Sequence, residues 1–196
     1  REVDGLADAK LRLAVNLYGA PALSLQEFSR YRQDVIVGVS AQVTVPTGQY
    51  DESRLVNIGS NRWALKTEAG VSKALGRWTL ETAVSAALFT DNNDFYNGHT
   101  RSQKPIYSMQ GHAIYSLETG QWLSVDVNYF TGGRTTIDDE LNQDLQKNWR
   151  TGVTWARPLD KLNSIKFFAS RGVSARTGNN YDLLGIAWQH RWGGGL

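Results

Sequence analysis

The 196-residue chain has no cysteine, one methionine and four prolines. Without cysteine there is no disulfide framework, no thiolate zinc site and no thiol nucleophile. Long apolar runs are missing too. The piece "AVSAALF" at 83 to 89 falls far short of the roughly 18 consecutive apolar residues of a spanning helix, so crossing a membrane by helices is excluded. Neither sign of charge prevails. The 21 Lys and Arg and 19 Asp and Glu are interspersed and give a formal charge of +2, so no nucleic-acid partner is expected. No signal-peptide pattern opens at Arg1, so an exported protein would be represented here by a processed or trimmed chain.

What the chain does have is two-residue alternation, with nineteen glycines and seven tryptophans. In "VIVGVSAQVTV" (35 to 45), Val37, Val39, Ala41, Val43 and Val45 share one face, opposite Gly38, Ser40, Gln42 and Thr44. This is a strand pattern. It fits a soluble sheet with the valines inside, or a membrane barrel with the valines on lipid and the polar row in a wet lumen. A negative mean hydropathy does not decide between them, because a barrel needs only every second residue apolar.

Similar runs occur at 11 to 18, 61 to 73, 78 to 89, 105 to 117, 122 to 130, 148 to 156, 164 to 172 and 181 to 192. Nine strands are therefore expected. The connections at 74 to 77, 118 to 121 and 157 to 163 are short, whereas those at 46 to 60, 90 to 104, 131 to 147 and 173 to 180 are mostly longer and rich in Gly, Asn, Asp and Thr. Short turns on one side and long loops on the other are the organisation of an outer-membrane barrel, with the short turns periplasmic. Aromatic residues sort the same way. Trp78, Trp122, Trp155, Trp188 and Trp192 fall near the short-turn rim, and Trp63, Trp149, Tyr107 and Tyr129 near the other, as two interfacial girdles would. The alternative is that these are ordinary sheet aromatics.

If the last strand descends to the periplasm, the run at 11 to 18 also descends, and an even-stranded barrel then requires an odd number of strands upstream of Arg1. The connection at 19 to 34 is periplasmic on this numbering. Its "SLQE" (24 to 27) is a capping-box pattern and predicts one short helix.

The stretches "NLYGAPALSLQEFSRYRQD" (16 to 34), "VPTGQYDESRLVNIGSNRWALKTEAGVSKALGRWTLE" (45 to 81), "YFTGGRTTIDD" (129 to 139) and "GIAWQHRWGGGL" (185 to 196) resemble the outer-membrane channel family named for the MetA pathway of phenol degradation. The resemblance covers nearly the whole chain. It implies an all-β, antiparallel up-and-down transmembrane barrel of twelve strands, of which residues 1–196 would be a single domain carrying about nine. It also implies a channel for small organic molecules, aromatic or hydrophobic ones included, in the outer membrane of a Gram-negative bacterium. Membrane lipid, lipopolysaccharide, the solute and the barrel-assembly machinery are then the expected partners. The family brings no cofactor and no catalytic residues.

Alternation places Arg12, Asn16, Gln42, Arg62, Lys66, Glu68, Glu81, Gln110, His112, Asp126, Asn128, Arg150 and Lys166 on the inward face. Such a lining is mixed, with a mild preference for anions, and cross-strand ion pairing is the alternative use of the same residues. The turn at 74 to 77 is expected to set Gly70 opposite Glu81, with Glu68 diagonal and Lys66 relieving the like-charge contact. In the loop "TGGRTTIDDELNQDLQK" (131 to 147), Gly132 and Gly133 permit a fold-back by which Arg134, Asp138, Asp139 or Glu140 would narrow the pore; a plain solvated loop is the alternative. "DNND" at 91 to 94 lacks the spacing and terminal Glu of a calcium loop, and no metal is expected.

Two other function classes are open. A soluble ligand-binding barrel of lipocalin type would put the apolar rows inside and leave no use for two aromatic rims. An outer-membrane enzyme would use Asp91, Asp94 and His99, or His112 with a neighbouring Ser, but no nucleophile elbow, phosphate loop or HExxH is present. His190 is expected on the lipid side near the inner rim.

Overall fold

The computed structural model describes residues 4–28, 30–178 and 180–192, so the outermost residues of the expected 1–196 domain lie outside it. In chain order the elements begin with β1 (Ala9–Tyr18), α1 (Leu25–Phe28), β2 (Val35–Val45), β3 (Ala64–Leu75) and β4 (Trp78–Phe89). They continue with β5 (Asn92–Phe95), β6 (His99–Gln103), β7 (Ile106–Ser116), β8 (Trp122–Gly132), β9 (Thr135–Ile137) and β10 (Glu140–Leu141). Last come β11 (Gln146–Pro158), β12 (Asn163–Ala175) and β13 (Asp182–His190). The protein is all-β and antiparallel.

All nine expected strands form one sheet in the order β1-β2-β3-β4-β7-β8-β11-β12-β13. The bounds of β2 and β4 are those the alternation gives. The sheet is open: among the described residues β1 and β13 are its two edges and do not pair with each other. Closure is therefore not present in the described chain. The remaining four strands, in the order β10-β9-β6-β5, make a second sheet at the long-loop end. Residues 90 to 104 and 131 to 147 are thus not plain loops; their backbone donors and acceptors are paired with each other instead of with water.

Which face is sheltered is read from β3. Its odd row Leu65, Thr67, Ala69 and Val71 is exposed, while Lys66, Glu68 and Ser72 between them are partly covered. The same inversion holds along β8, where Ser124 is buried between exposed Leu123 and Val125. Among the described residues Ala156 is the only buried hydrophobic side chain. The described residues form no apolar core of the kind that stabilises a soluble domain. The sheet instead presents a continuous apolar face outward and keeps its polar face sheltered.

The β3–β4 turn corrects one expectation. Pairing runs on to Leu75↔Trp78 around Gly76 and Arg77, with Gly76 at φ +62°, so Gly70 faces Ala83 and Ser72 faces Glu81. The turn is two residues rather than four, and the expected contact between Glu81 and the Gly70 position is absent for that reason. In the connection to β2, the short helix forms as its capping box dictates. The Ser24 N–H and Oγ–H donate to Glu27 at 2.8 and 2.7 Å, and the Glu27 N–H donates back to Ser24 Oγ at 3.3 Å.

Aromatic pairs mark both ends of the apolar face. Trp78 meets Tyr115 at 4.9 Å and Trp155 meets Phe167 at 5.6 Å near the short turns, while Tyr129 meets Trp149 at 4.5 Å toward the long loops. Trp122 departs from this belt. It pairs in register with Ser116 and Ala156, which places it on the polar face. His190 follows the apolar row, with its ring 5.8 Å from Trp188 and its Nδ1 2.9 Å from Asn163 Oδ1.

Candidate functional site

The strand register carries most of the inward candidates onto one polar face. Arg12, Gln42 and Lys66 lie side by side across β1, β2 and β3. Deeper along the sheet, Asn16, Gly38, Gly70 and Ala83 continue through Gln110 and Asn128 to Arg150. The next row runs Ser72, Glu81, His112 and Asp126. Lys166 stands opposite Ala156 nearer the short turns. Arg62 precedes β3 and belongs to the loop end, where it is held differently.

Several of these charges are already paired. The Arg12 guanidinium reaches across β2, donating to Ser40 Oγ and Glu68 Oε1, each at 3.0 Å, and Lys66 holds the other Glu68 oxygen at 3.0 Å. Glu81 accepts the Ser72 hydroxyl at 3.0 Å, and Gln33 in turn donates to Ser72 at 2.6 Å. His112 Nδ1 lies 2.5 Å from Asp126 Oδ1, whose second oxygen accepts from Ser124 at 3.1 Å. Arg150 donates to Ser170 Oγ and Tyr181 O at 3.1 Å and stacks 4.1 Å over the Tyr181 ring. By contrast, the side chains of Asn16, Gln42, Gln110, Asn128 and Lys166 make no hydrogen bond or ion pair to another described residue.

A trough of about 260 Å³ runs along this face, lined by Asn16, Gly38, Glu68, Gly70, Gln110 and His112 among others. Its floor is low because Gly38 and Gly70 pair directly across β2 and β3. A Cβ on Gly38 would stand 3.0 Å from Asn16 Oδ1, so the glycine is what lets Asn16 fold over the floor. On the opposite, apolar face a groove of about 860 Å³ forms where Ala41, Thr67, Ala69 and Ala86 are short between taller Leu13, Tyr107 and Met109.

Above the trough three long loops are knitted together. Asp8 accepts from the Gly48 N–H at 2.9 Å and from the Ser60 N–H and hydroxyl at 2.8 and 2.6 Å. Buried Asn92 donates to Tyr50 Oη at 2.9 Å and accepts from Asn61 at 2.9 Å. Gln103 accepts from the Arg62 guanidinium and donates to Gly133 O at 2.9 Å, bridging two loops. The Arg134 carbonyl accepts from the Lys104 N–H at 2.9 Å, and its Nε is buried with no partner. Asp138 and Asp139, at φ +44° and +69°, turn β9 into β10, where Glu140 is exposed. Asp138 accepts the Thr100 N–H at 2.8 Å and meets His99.

These contacts separate the proposed hydrolytic groups. His99 is committed to Asp138 rather than to Asp91 or Asp94, and Ser124 donates to Asp126 rather than to His112. Among the described residues no cluster of three or more His, Asp or Glu side chains is placed to hold a metal ion. Asn92 and the Asp94 N–H are joined at 3.1 Å, so "DNND" folds on itself as the start of a hairpin. Gln33, Asn92, Arg101 and Gln103 were not among the expected site residues; they sit in segments without alternation, and only the fold brings them to the others.

A family model described as "Putative MetA-pathway of phenol degradation" matches residues 16–189. The fold is similar to the crystal structure of an outer membrane channel from Pseudomonas putida F1, with a TM-score of 0.79 and 23% identity, over 95% of this chain and 66% of that one. The chain thus spans just under two thirds of the length of that channel. No curated protein matches significantly.

Proposed function

From the premise that the chain belongs to the family "Putative MetA-pathway of phenol degradation", we propose that it is the greater part of an outer-membrane β-barrel channel for passive uptake of small organic molecules, aromatic and hydrophobic ones included. The single observation that carries this reading is the inverted burial: an exposed apolar face and a sheltered polar one. An apolar solvent reverses the usual sorting of side chains, and lipid is that solvent. On this reading the apolar face meets membrane lipid and lipopolysaccharide, and the trough is the lumen wall. The long loops lie outside the bacterial outer membrane, and insertion uses the barrel-assembly machinery. The unpaired edges β1 and β13 call for partners, because lipid offers none to backbone N–H and C=O groups. Three further strands would close a twelve-stranded barrel.

Solute would pass where the polar wall is lowest, beside Gly38 and Gly70, with Asn16, Gln110 and Asn128 offering neutral hydrogen bonds and Lys166 a charge. The β9–β10 hairpin with Arg134, Asp138, Asp139 and Glu140 is the proposed constriction. The lipocalin-type alternative needs apolar rows turned inward, opposite to the burial along β3 and β8.

Planar-bilayer recording on the full-length protein tests the channel. Discrete conductance steps are expected, and Ser40→Trp should lower them because Ser40 faces the lumen. Recovery of a monodisperse protein without detergent, or absence of conductance from a folded sample, would overturn the reading.

A further inference from the structure

A cavity of about 320 Å³ lies at the long-loop end between residues 50–62 and the β5–β6 hairpin, apart from the trough. Its volume is at the lower end of the range of about 300–1,000 Å³ typical of small-molecule sites. Its walls are of two kinds. Tyr50, Leu55, Ile58 and Phe95 are aromatic or apolar, whereas Arg62 and Arg101 bring positive charge.

Among the described residues neither cation has a carboxylate in contact. Arg62 gives one nitrogen to Gln103 and lies 4.6 Å over the Phe89 ring, but its Nη1 is buried with no hydrogen-bond partner. Arg101 lies 5.1 Å over the Phe95 ring. Neither arginine forms an ion pair with a described residue; Asp91 acts on Arg62, and Asp144 on Arg101, only at longer range. Burial first, and then the like charge of Arg101, lower Arg62 to about 10. A buried charged donor left unpaired is costly, and a second cation beside it raises the cost further. A carboxylate would remove both penalties, because its two oxygens accept from a guanidinium fork. An inorganic anion would leave the apolar wall unused. A flat apolar body behind the carboxylate would cover Phe95 and Leu55.

We infer that this cavity is a capture site for small aromatic carboxylates, with the carboxylate between Arg62 and Arg101 and the ring against Phe95. Its role as a mouth that concentrates solute ahead of the lumen rests on the channel reading, whereas binding itself does not require conduction.

Isothermal titration of the full-length protein in detergent micelles, with sodium benzoate, benzamide and sodium acetate as probes, tests this. Saturable benzoate binding is expected, at least tenfold tighter than either benzamide, which lacks the charge, or acetate, which lacks the ring. Arg101→Gln should weaken benzoate at least tenfold, and so should Arg62→Gln. Because Arg62 is packed between Gln103 and Phe89, its variant is checked for folded electrophoretic mobility; Arg101→Gln and the wild-type probe series carry the test if it misfolds. Equal affinity for benzoate and benzamide, equal affinity for benzoate and acetate, or undiminished binding in Arg101→Gln would overturn the site. Loss of benzoate binding with conductance intact would sink the site alone, and benzoate binding without conductance would sink the channel alone.

Discussion

In the nine-stranded wall the side chains turned out to solvent are the apolar ones, with Leu184 at 85% and Ile186 at 69% exposure, whereas in the small outer sheet the buried side chains are polar, Thr135 at 2% and Asn92 at 3%. The wall is ordered by an alternation that any apolar residue satisfies. The outer sheet is ordered by individual bonds: Asp144 to Thr135, Asn92 to Tyr50, Gln103 to Gly133. A wall of the first kind tolerates exchange of Val for Leu and punishes charge, while a sheet of the second kind does the reverse. The two should therefore fail separately and under different insults.

The largest effect is expected from charge placed on the wall. Val39→Lys puts an ammonium on the apolar face of β2 and should cost about 2–4 kcal/mol near the membrane midplane. Glu140→Lys, exposed on β10 beside the β9–β10 turn, should stay within about 0.5 kcal/mol as a surface change. Urea titration of both variants folded into bilayers measures the contrast. A harmless Val39→Lys would mean the faces have been read the wrong way round.

A smaller and local effect is expected from the outer sheet. The Thr135 N–H and hydroxyl both donate to Asp144, at 2.9 and 2.6 Å, and Thr135 is fully buried. Asp144→Ala leaves two buried donors unmet, at a cost of about 1–3 kcal/mol. The cost should appear as faster amide hydrogen exchange over residues 135 to 141, with β8 and β11 still protected. Equal loss of protection in β8 and β11 would show that the sheets open as one unit and would break the comparison.

The same contrast explains what was legible in the sequence. β2 and β4 can be bounded to the residue because alternation begins and ends with them, and the face of Glu68, His112 and Asp126 follows from parity alone. Residues 99 to 103, "HTRSQ", become β6 without any apolar periodicity, since what pairs them is the neighbouring loop at 135 to 137. Loop-to-loop pairing has no local signature. Register is intermediate. One turn read as four residues instead of two moved Glu81 by two positions, and Trp122 passed for a girdle residue until its partners Ser116 and Ala156 placed it inside. The Arg62 cavity was the least legible, because its two arginines come from segments 39 positions apart that share no motif.

The mildest expected effect, and the one that separates the sheets without mutation, is acid. Burial pushes the Asp8 carboxyl up, but donors from Ser60 and Gly48 outweigh it and hold it below its ordinary 3.8. Asp144 behaves alike, with burial opposed by Thr135. Asp138 is lowered by the Thr100 amide first and then by His99. A carboxyl depressed in the folded state contributes stability above its ordinary value and loses it as pH falls through the folded one. Asp138 is exposed and Asp8 and Asp144 are half-buried at the surface, so solvent screens all three and each contribution is small. Together they tie the outer segments, whereas the wall, although it carries ion pairs such as Arg12–Glu68 and His112–Asp126, rests on the backbone pairing of nine strands, which protons do not touch. Between pH 7 and pH 3, protease cleavage within residues 46 to 60 and 90 to 104 should rise while the wall keeps its folded electrophoretic mobility. Asp8→Asn together with Asp144→Asn should loosen the loops at neutral pH and flatten the acid response. If that double variant kept the full acid response, the ties would lie elsewhere, and the outer sheet would owe its order to the wall beneath it.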